Sequence, residues 1–361
     1  MKLNRLTKTS VLLFGAFLMI QAGMSQTRQR IISPEVGSDG MVTFRFTAPQ
    51  AHLVCLSVEY FDGLRPLRRG ENGIWSISLG PFDPELYSYN FVVDGISTVD
   101  PRNPVIKIGT GTTQSLLDIP GSPLLFYNEK PVPHGVVHLH RYNSETLDTT
   151  RGLNVYTPPG YSQDFDVTYP VLYLLHGAGD NERGWSTIGR ANVILDNLIA
   201  EKKAVPMIVV MPDGHAPSAE GIENPFGEDL VKDIIPYVEN SYRVRKGSPF
   251  RALAGLSMGG FQTLDIGIRH NDLFNWIGVF SAGINESYEK THGEFLDFAN
   301  EKLDLFWVAI GKTDFLWERN ERLLKMLQDK GVRHMSVTSE GGHTWKNWRS
   351  YLHEFVQLLF R

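Results

Sequence analysis

The chain has 361 residues, 42% hydrophobic and 21% charged, which is enough for roughly two domains and a sizeable core. A net charge of −5 argues against a broadly basic nucleic-acid-binding surface. The single cysteine, Cys55, excludes an internal disulfide framework, a cysteine-cluster zinc site and a CxxC redox pair.

Residues 1–25 start with Lys2, Arg5 and Lys8, run through the apolar stretch 11–20 and reach the small residues Gly23 and Ser25. That is the layout of a secretory signal peptide, with an apolar run shorter than the about 20 residues of a membrane span. No cysteine follows it to carry a lipid. A periplasmic or secreted protein is expected, with no stable membrane association after leader removal. Residues 26–120 read as short strands at 42–47, 53–59, 74–79 and 87–93. Turn signals separate them at Ser38-Asp39-Gly40, Glu71-Asn72-Gly73, Asp83-Pro84 and Asp94-Gly95. This spacing predicts a β-sandwich. Trp75 lies within an alternating strand and reads as core. The proline-rich residues 121–133 read as a linker.

From residue 134 to 361 strands alternate with helices. Apolar strand runs fall at 171–175, 207–211, 250–256, 276–280 and 305–310. Helical periodicity fits 191–202, 229–241, 258–269, 318–330 and 345–360. The alternation predicts a mostly parallel sheet covered on both faces.

Chemistry concentrates in Gly255-Leu256-Ser257-Met258-Gly259, a G-x-S-x-G between a predicted strand and a predicted helix. That context is a nucleophile elbow: a tight turn lifts the Ser257 hydroxyl above the sheet, and the Met258 N–H is free to hold an oxyanion. Serine needs a base. His343 in Gly341-Gly342-His343-Thr344-Trp345 lies on a loop after the strand-like 335–339, whereas His334 and His353 lie inside a strand and a helix. Asp314 follows the strand 305–310 and would orient His343, whereas Asp304 precedes that strand. The second oxyanion donor is expected at Ala178, with Gly177 as the alternative, in the turn His176-Gly177-Ala178-Gly179. His176 reads as a structural hydrogen-bonder. His134, His138 and His140 read as strand residues without further ligands at metal spacing. No metal or cofactor is expected. Trp185, Phe315, Trp317 and Trp345 lie on loops at the catalytic edge and are expected to contact substrate, favouring a planar aromatic acyl group, with anchoring of helix starts into the core the alternative for Trp317 and Trp345.

These motifs carry a resemblance. Tyr173-Leu174-Leu175-His176-Gly177, Met211-Pro212-Asp213-Gly214, Gly255 through Gly260, Gly311 with Asp314-Phe315-Leu316, and Gly342-His343-Thr344-Trp345 are together similar to the esterase D-type branch of the α/β-hydrolases. Within that branch, residues 134–361 resemble the feruloyl and acetylxylan esterases of carbohydrate esterase family 1. Asp213 departs from the asparagine often found there. Trp75, Tyr87, Tyr89 and Val92-Val93-Asp94-Gly95 resemble an early-set, immunoglobulin-like sandwich of the kind grouped with family 48 carbohydrate-binding modules.

The fold class implied is α/β: an α/β-hydrolase domain preceded by a small all-β sandwich. The resemblance implies the triad Ser257, Asp314 and His343, with oxyanion donors at Met258 and the 176–178 turn. It also implies a secreted serine esterase acting on feruloylated or acetylated plant polysaccharide, feruloyl arabinoxylan first. Acetylxylan esterase, siderophore-trilactone esterase and a non-catalytic carbohydrate-binding protein are the alternatives. Because every motif lies after residue 134, a fragment starting at Lys130 is expected to act on small esters.

Overall fold

The computed structural model describes residues 31–219, 221–288, 296–297 and 299–361; the leader expected at 1–25 lies outside them. The first ten strands are β1 (Glu35–Val36), β2 (Val42–Thr47), β3 (Val54–Val58), β4 (Arg65–Pro66), β5 (Arg68–Arg69), β6 (Ile74–Leu79), β7 (Glu85–Val93), β8 (Ile96–Thr98), β9 (Ile106–Ile108) and β10 (Thr113–Ile119). They pair antiparallel in two sheets, β1-β2-β6-β5 and β4-β3-β7-β10-β9, with β8 on β7. In β2, Val42 and Phe44 point inward and Thr43 and Arg45 outward, as period-two patterning requires. Phe44, Trp75, Tyr89 and Phe91 meet in the sandwich core. The Trp75 indole N–H donates to Ala48 O at 2.9 Å, so this ring is a core residue, as its alternating strand suggested.

The second half comprises β11 (Val136–Ser144), β12 (Thr149–Thr157), β13 (Val171–Leu175), α1 (Ala191–Ala200), β14 (Ile208–Pro212), α2 (Pro225–Asp229), α3 (Ile235–Ser241), β15 (Arg251–Leu256), α4 (Met258–Arg269), β16 (Trp276–Phe280), α5 (Ala299–Lys302), β17 (Leu305–Gly311), α6 (Trp317–Asp329), β18 (Met335–Ser339) and α7 (Trp345–Val356). A π-helical segment, Leu230–Ile234, joins α2 to α3. The eight-stranded sheet has the order β11-β12-β14-β13-β15-β16-β17-β18. Only the pairs β11–β12 and β12–β14 are antiparallel. β13 and β16 are buried at every residue, because helices cover both faces. Leu172 and Leu174 face Ile194 of α1 and Phe355 of α7. Val171, Tyr173 and Leu175 face Phe226, Val238 and Ile266 on the other side. This is the α/β-hydrolase arrangement, with an antiparallel sandwich ahead of it. Among the described residues no helix is long and apolar enough to cross a membrane.

The sandwich is docked on the mixed-sheet layers through charge as well as apolar contact. Leu86, Leu116 and Tyr127 join the core beneath α1 and α7. Glu85 bonds Arg349, whose side chain is fully buried. Glu85 also accepts from the Tyr127 hydroxyl at 2.8 Å, and Arg349 donates to Ile188 O at 2.8 Å. Arg190 pairs with Asp118 at 2.7 Å. Residues 121–133 follow α1 closely: Asn197 donates to Phe126 O at 2.8 Å and Asn128 O at 3.0 Å.

Candidate active site

At the C-terminal end of β15 the chain reverses into α4 at Ser257, which holds φ 50° and ψ −114°. For a non-glycine residue that conformation costs about 1–3 kcal/mol and persists only where neighbours enforce it. The enforcement is visible in the flanking glycines. A Cβ on Gly255 would lie 2.4 Å from Gly259 O, and one on Gly259 would lie 2.6 Å from His176 O. Any side chain at either position would push α4 off β13 and β15. Ser257 N–H donates to Phe280 O at 2.9 Å, tying the elbow to β16. Met258 is the first residue of α4, so its N–H has no partner within the helix.

The loops after β17 and β18 bring the two expected partners to this elbow. His343 Nε2 lies 2.9 Å from Ser257 Oγ. His343 Nδ1 lies 3.0 Å from each Asp314 carboxylate oxygen. Asp314 is buried and accepts the Leu316 N–H at 2.9 Å. Burial opposes its ionisation, but the hydrogen bonds from His343 and the Leu316 amide outweigh it and hold the carboxyl below the usual range. With Nδ1–H donated to Asp314, Nε2 is left as the acceptor for a serine proton. Trp348, absent from the sequence expectations, stands perpendicular to the His343 ring at 4.9 Å.

The turn after β13 is pinned along its length. His176 Nε2 accepts the Gly214 N–H at 2.8 Å, so its proton is on Nδ1, which donates to Gly177 O at 2.8 Å. Gly177 O also accepts the Asp180 N–H at 3.0 Å. His176 is thus a hydrogen-bonder, and the Gly177–Ala178 peptide is the group it fixes. The sandwich reaches the same turn. Thr110 N–H donates to Gly179 O at 3.1 Å, and Thr110 Oγ1 donates to Asp180 O at 2.9 Å. Asn181 donates to Ile108 O at 3.0 Å, and Lys107 pairs with Asp180 at 2.8 Å. Sequence reasoning missed these contacts, because the β9–β10 loop carries no motif and lies some 70 residues before the turn it holds.

The four aromatics expected to line the site separate. Phe315 is 75% exposed, with its ring 4.4 Å from that of His343. Trp317 is half-buried at the start of α6. Trp185 is 1% exposed and donates its indole N–H to Leu175 O at 2.9 Å. Its ring meets Trp345 edge-on at 5.1 Å. The expectation that Trp185 touches substrate is therefore corrected: its loop folds inward and the ring fills the core under α7. Trp345 is also buried.

The histidines read as strand residues at 134, 138 and 140 are engaged elsewhere. His134 bonds Asp196 at 3.0 Å, His138 bonds Thr157 at 3.0 Å, and His140 bonds Tyr237 at 2.9 Å. His176, Asp213 and His215 do converge closely enough to suggest a metal cluster. However, Gly214 N–H occupies the His176 Nε2 lone pair, and His215 Nε2 lies 3.1 Å from Asp180 O, which needs a donor there. Neither imidazole offers a free lone pair from those nitrogens, so the cluster reads as a hydrogen-bonded brace for the turn.

Residues 144–359 match the family model described as "Putative esterase". The chain is 31% identical over 341 residues to an endo-1,4-beta-xylanase/feruloyl esterase of Xylanibacter ruminicola, covering 91% of this chain and 46% of that protein. It thus spans about half the length of that relative. A solved ferulic acid esterase superposes with TM-score 0.57 at 26% identity, covering 63% of this chain and 97% of that one. The enterobactin esterase of Shigella flexneri superposes with TM-score 0.63 at 18% identity, over 91% of this chain and 96% of that one, a likeness of fold. With a serine–histidine–aspartate chain at an elbow and a family match across more than half its length, the chain belongs to the Esterase family of carboxylic ester hydrolases.

Proposed function

We propose that the chain is an exported serine esterase that removes feruloyl groups from plant cell-wall polysaccharide, with Ser257 as nucleophile. The observation that carries the chemistry is the continuous hydrogen-bond chain from Ser257 Oγ through His343 to Asp314 at a strained elbow. Ser257 Oγ attacks the ester carbonyl while His343 Nε2 takes its proton. The oxyanion is held by the Met258 and Ala178 N–H groups, with Gly177 the alternative to Ala178. Collapse breaks the bond to the alcohol, and His343 returns the proton to it. Water then adds to the acyl-enzyme by the same route, releasing the acid and restoring Ser257. Every proton is carried by His343, so no step calls for a metal.

Export is supported by the basic, apolar and small-residue order of 1–25. A division into a sandwich at 26–120, a connector at 121–133 and a catalytic part at 134–361 belongs to the same proposal. The feruloyl assignment draws on the exposed Phe315 ring beside His343, with half-buried Trp317 two residues later in the chain, and on the relatives named as feruloyl or ferulic acid esterases. The test is chromatography of the acids released from arabinoxylan and from acetylated xylan. Ferulate is expected to dominate in kcat/KM. Faster acetate release would make this an acetylxylan esterase.

A further inference from the structure

The outer face of the sheet β4-β3-β7-β10-β9 does not pack flat on the layer beneath it. Between them lies a cavity of about 450 Å³, with Ile188 and Trp345 on the far wall. That volume is within the about 300–1,000 Å³ range of ligand pockets, and the lining mixes polar side chains with apolar ones. In register, Ser57 pairs with Asn90 and Gln114 with Lys107, and Ser115 pairs with Tyr89. Four strands therefore present Ser57, Asn90, Gln114 and Lys107 as one row across the cavity.

Of the two charged groups in the wall, Lys107 is ion-paired with Asp180 at 2.8 Å, and Glu59 is hydrogen-bonded, accepting from the Ser88 hydroxyl at 2.9 Å and amide at 3.1 Å. The other polar groups are the hydroxyls and carboxamides of Ser57, Asn90, Ser97 and Gln114, beside the apolar Val58, Leu64 and Val92. Such a wall suits a ligand rich in hydroxyl groups, whose hydroxyls meet the polar row and the Glu59 acceptor and whose C–H faces meet Val92 and Trp345, whereas an anion would meet Glu59 with the one lysine already paired. The cavity also borders both loops that flank Ser257. Lys107 holds Asp180, two residues after Ala178, and Trp345 is two residues after His343.

We propose that this cavity is a saccharide subsite that receives the sugar on the alcohol side of the ester. The proposal rests on the esterase reading above, and its test has an arm that does not need hydrolysis. The double variant Asn90→Ala/Gln114→Ala should hydrolyse methyl ferulate within about twofold of wild type. On a feruloylated arabinoxylo-oligosaccharide it should lose about tenfold in kcat/KM through KM, the scale of one or two hydrogen bonds. A cavity-filling Ser57→Trp variant should show the same split, with an unchanged unfolding midpoint as the check on folding. Independently, calorimetry of Ser257→Ala with the unesterified arabinoxylo-oligosaccharide should show saturable binding that Asn90→Ala/Gln114→Ala abolishes. Equal losses on both esters, or oligosaccharide binding that survives the double variant, would overturn the subsite. So would failure of Ser257→Ala to bind at millimolar ligand. If the wild type cleaves no ester at all, the esterase reading fails and the calorimetry alone decides the subsite.

Discussion

Glu85 and Arg349 are 264 residues apart in sequence, yet their bond crosses the junction between the sandwich and the catalytic layers. Arg349 has no solvent exposure, and Glu85 is 4% exposed. Glu85→Ala leaves the guanidinium with Ile188 O and the face of Tyr127, whose ring lies 4.6 Å away, as its compensation. Breaking one side of a buried pair costs about 3–5 kcal/mol, because the remaining charge stays desolvated. Replacing both, as Glu85→Leu with Arg349→Met, removes the stranded charge and should recover most of that loss. The assay is urea unfolding of the wild type, both single variants and the double variant. The reasoning is refuted if Glu85→Ala loses less than about 1 kcal/mol, or if the two single losses simply add. A fragment starting at Lys130 carries Arg349 without Glu85 or Tyr127. It should therefore fold poorly, against the expectation drawn from motif positions alone.

Ser257→Ala should lower kcat on p-nitrophenyl acetate by about 10⁴–10⁶ with the unfolding midpoint unchanged, and more than a hundredth of wild-type activity would remove Ser257 from the mechanism. Asp314→Asn should cost about 10⁴ in kcat, since the amide favours the wrong histidine tautomer. Its stability should also converge with wild type in acid. The Asp314 carboxyl is held below its usual range, so its contribution is complete above about pH 3.9 and is lost as pH falls through the lower folded value. A gap in melting temperature that stays constant from pH 7 to pH 3 would contradict this. His176→Phe should lower kcat by as much as about 10²–10³, the worth of one oxyanion donor, with little change in KM. A kcat within threefold of wild type in a folded variant would mean the turn holds itself.

The elbow, the order of Ser257, Asp314 and His343, and the strand–helix alternation were legible because each is a local pattern. G-x-S-x-G needs only five residues, and a buried parallel strand such as Val171–Leu175 announces itself as an apolar run. Less legible were elements defined by what they meet. β12 begins Thr-Thr-Arg-Gly and becomes buried only because β11 and β14 lie on either side. Trp185 and Phe315 both lie on loops near the elbow, and sequence treats them alike. Their fates differ because Trp185 has a carbonyl, Leu175 O, waiting for its indole N–H in the core, while the Phe315 ring is left beside His343. The linker reading of 121–133 followed from its prolines, which limit backbone freedom whether a segment is a tether or, as here, is bound along α1.

The turn proposed to hold the oxyanion shows why such contacts would matter to chemistry. A peptide is planar and trans, so its N–H points opposite its C=O. Fixing Gly177 O with two donors, His176 Nδ1 and the Asp180 amide, therefore fixes the direction of the Ala178 N–H. His176 can donate from Nδ1 only while Nε2 is an acceptor, and Gly214 N–H at the end of β14 imposes that tautomer. One residue earlier, His176 O accepts the Gly259 N–H, which locks the turn to the helix that carries Ser257. From the other side, Thr110 and Lys107 of the sandwich hold Gly179 O, Asp180 O and the Asp180 carboxylate. Donors that are aimed before the substrate arrives need no reorganisation when charge develops, which is the condition for an oxyanion hole to lower a barrier. The sandwich supplies one of the three supports of that turn, so on the proposed mechanism its position is coupled to catalysis through Lys107 and Thr110 as well as through stability.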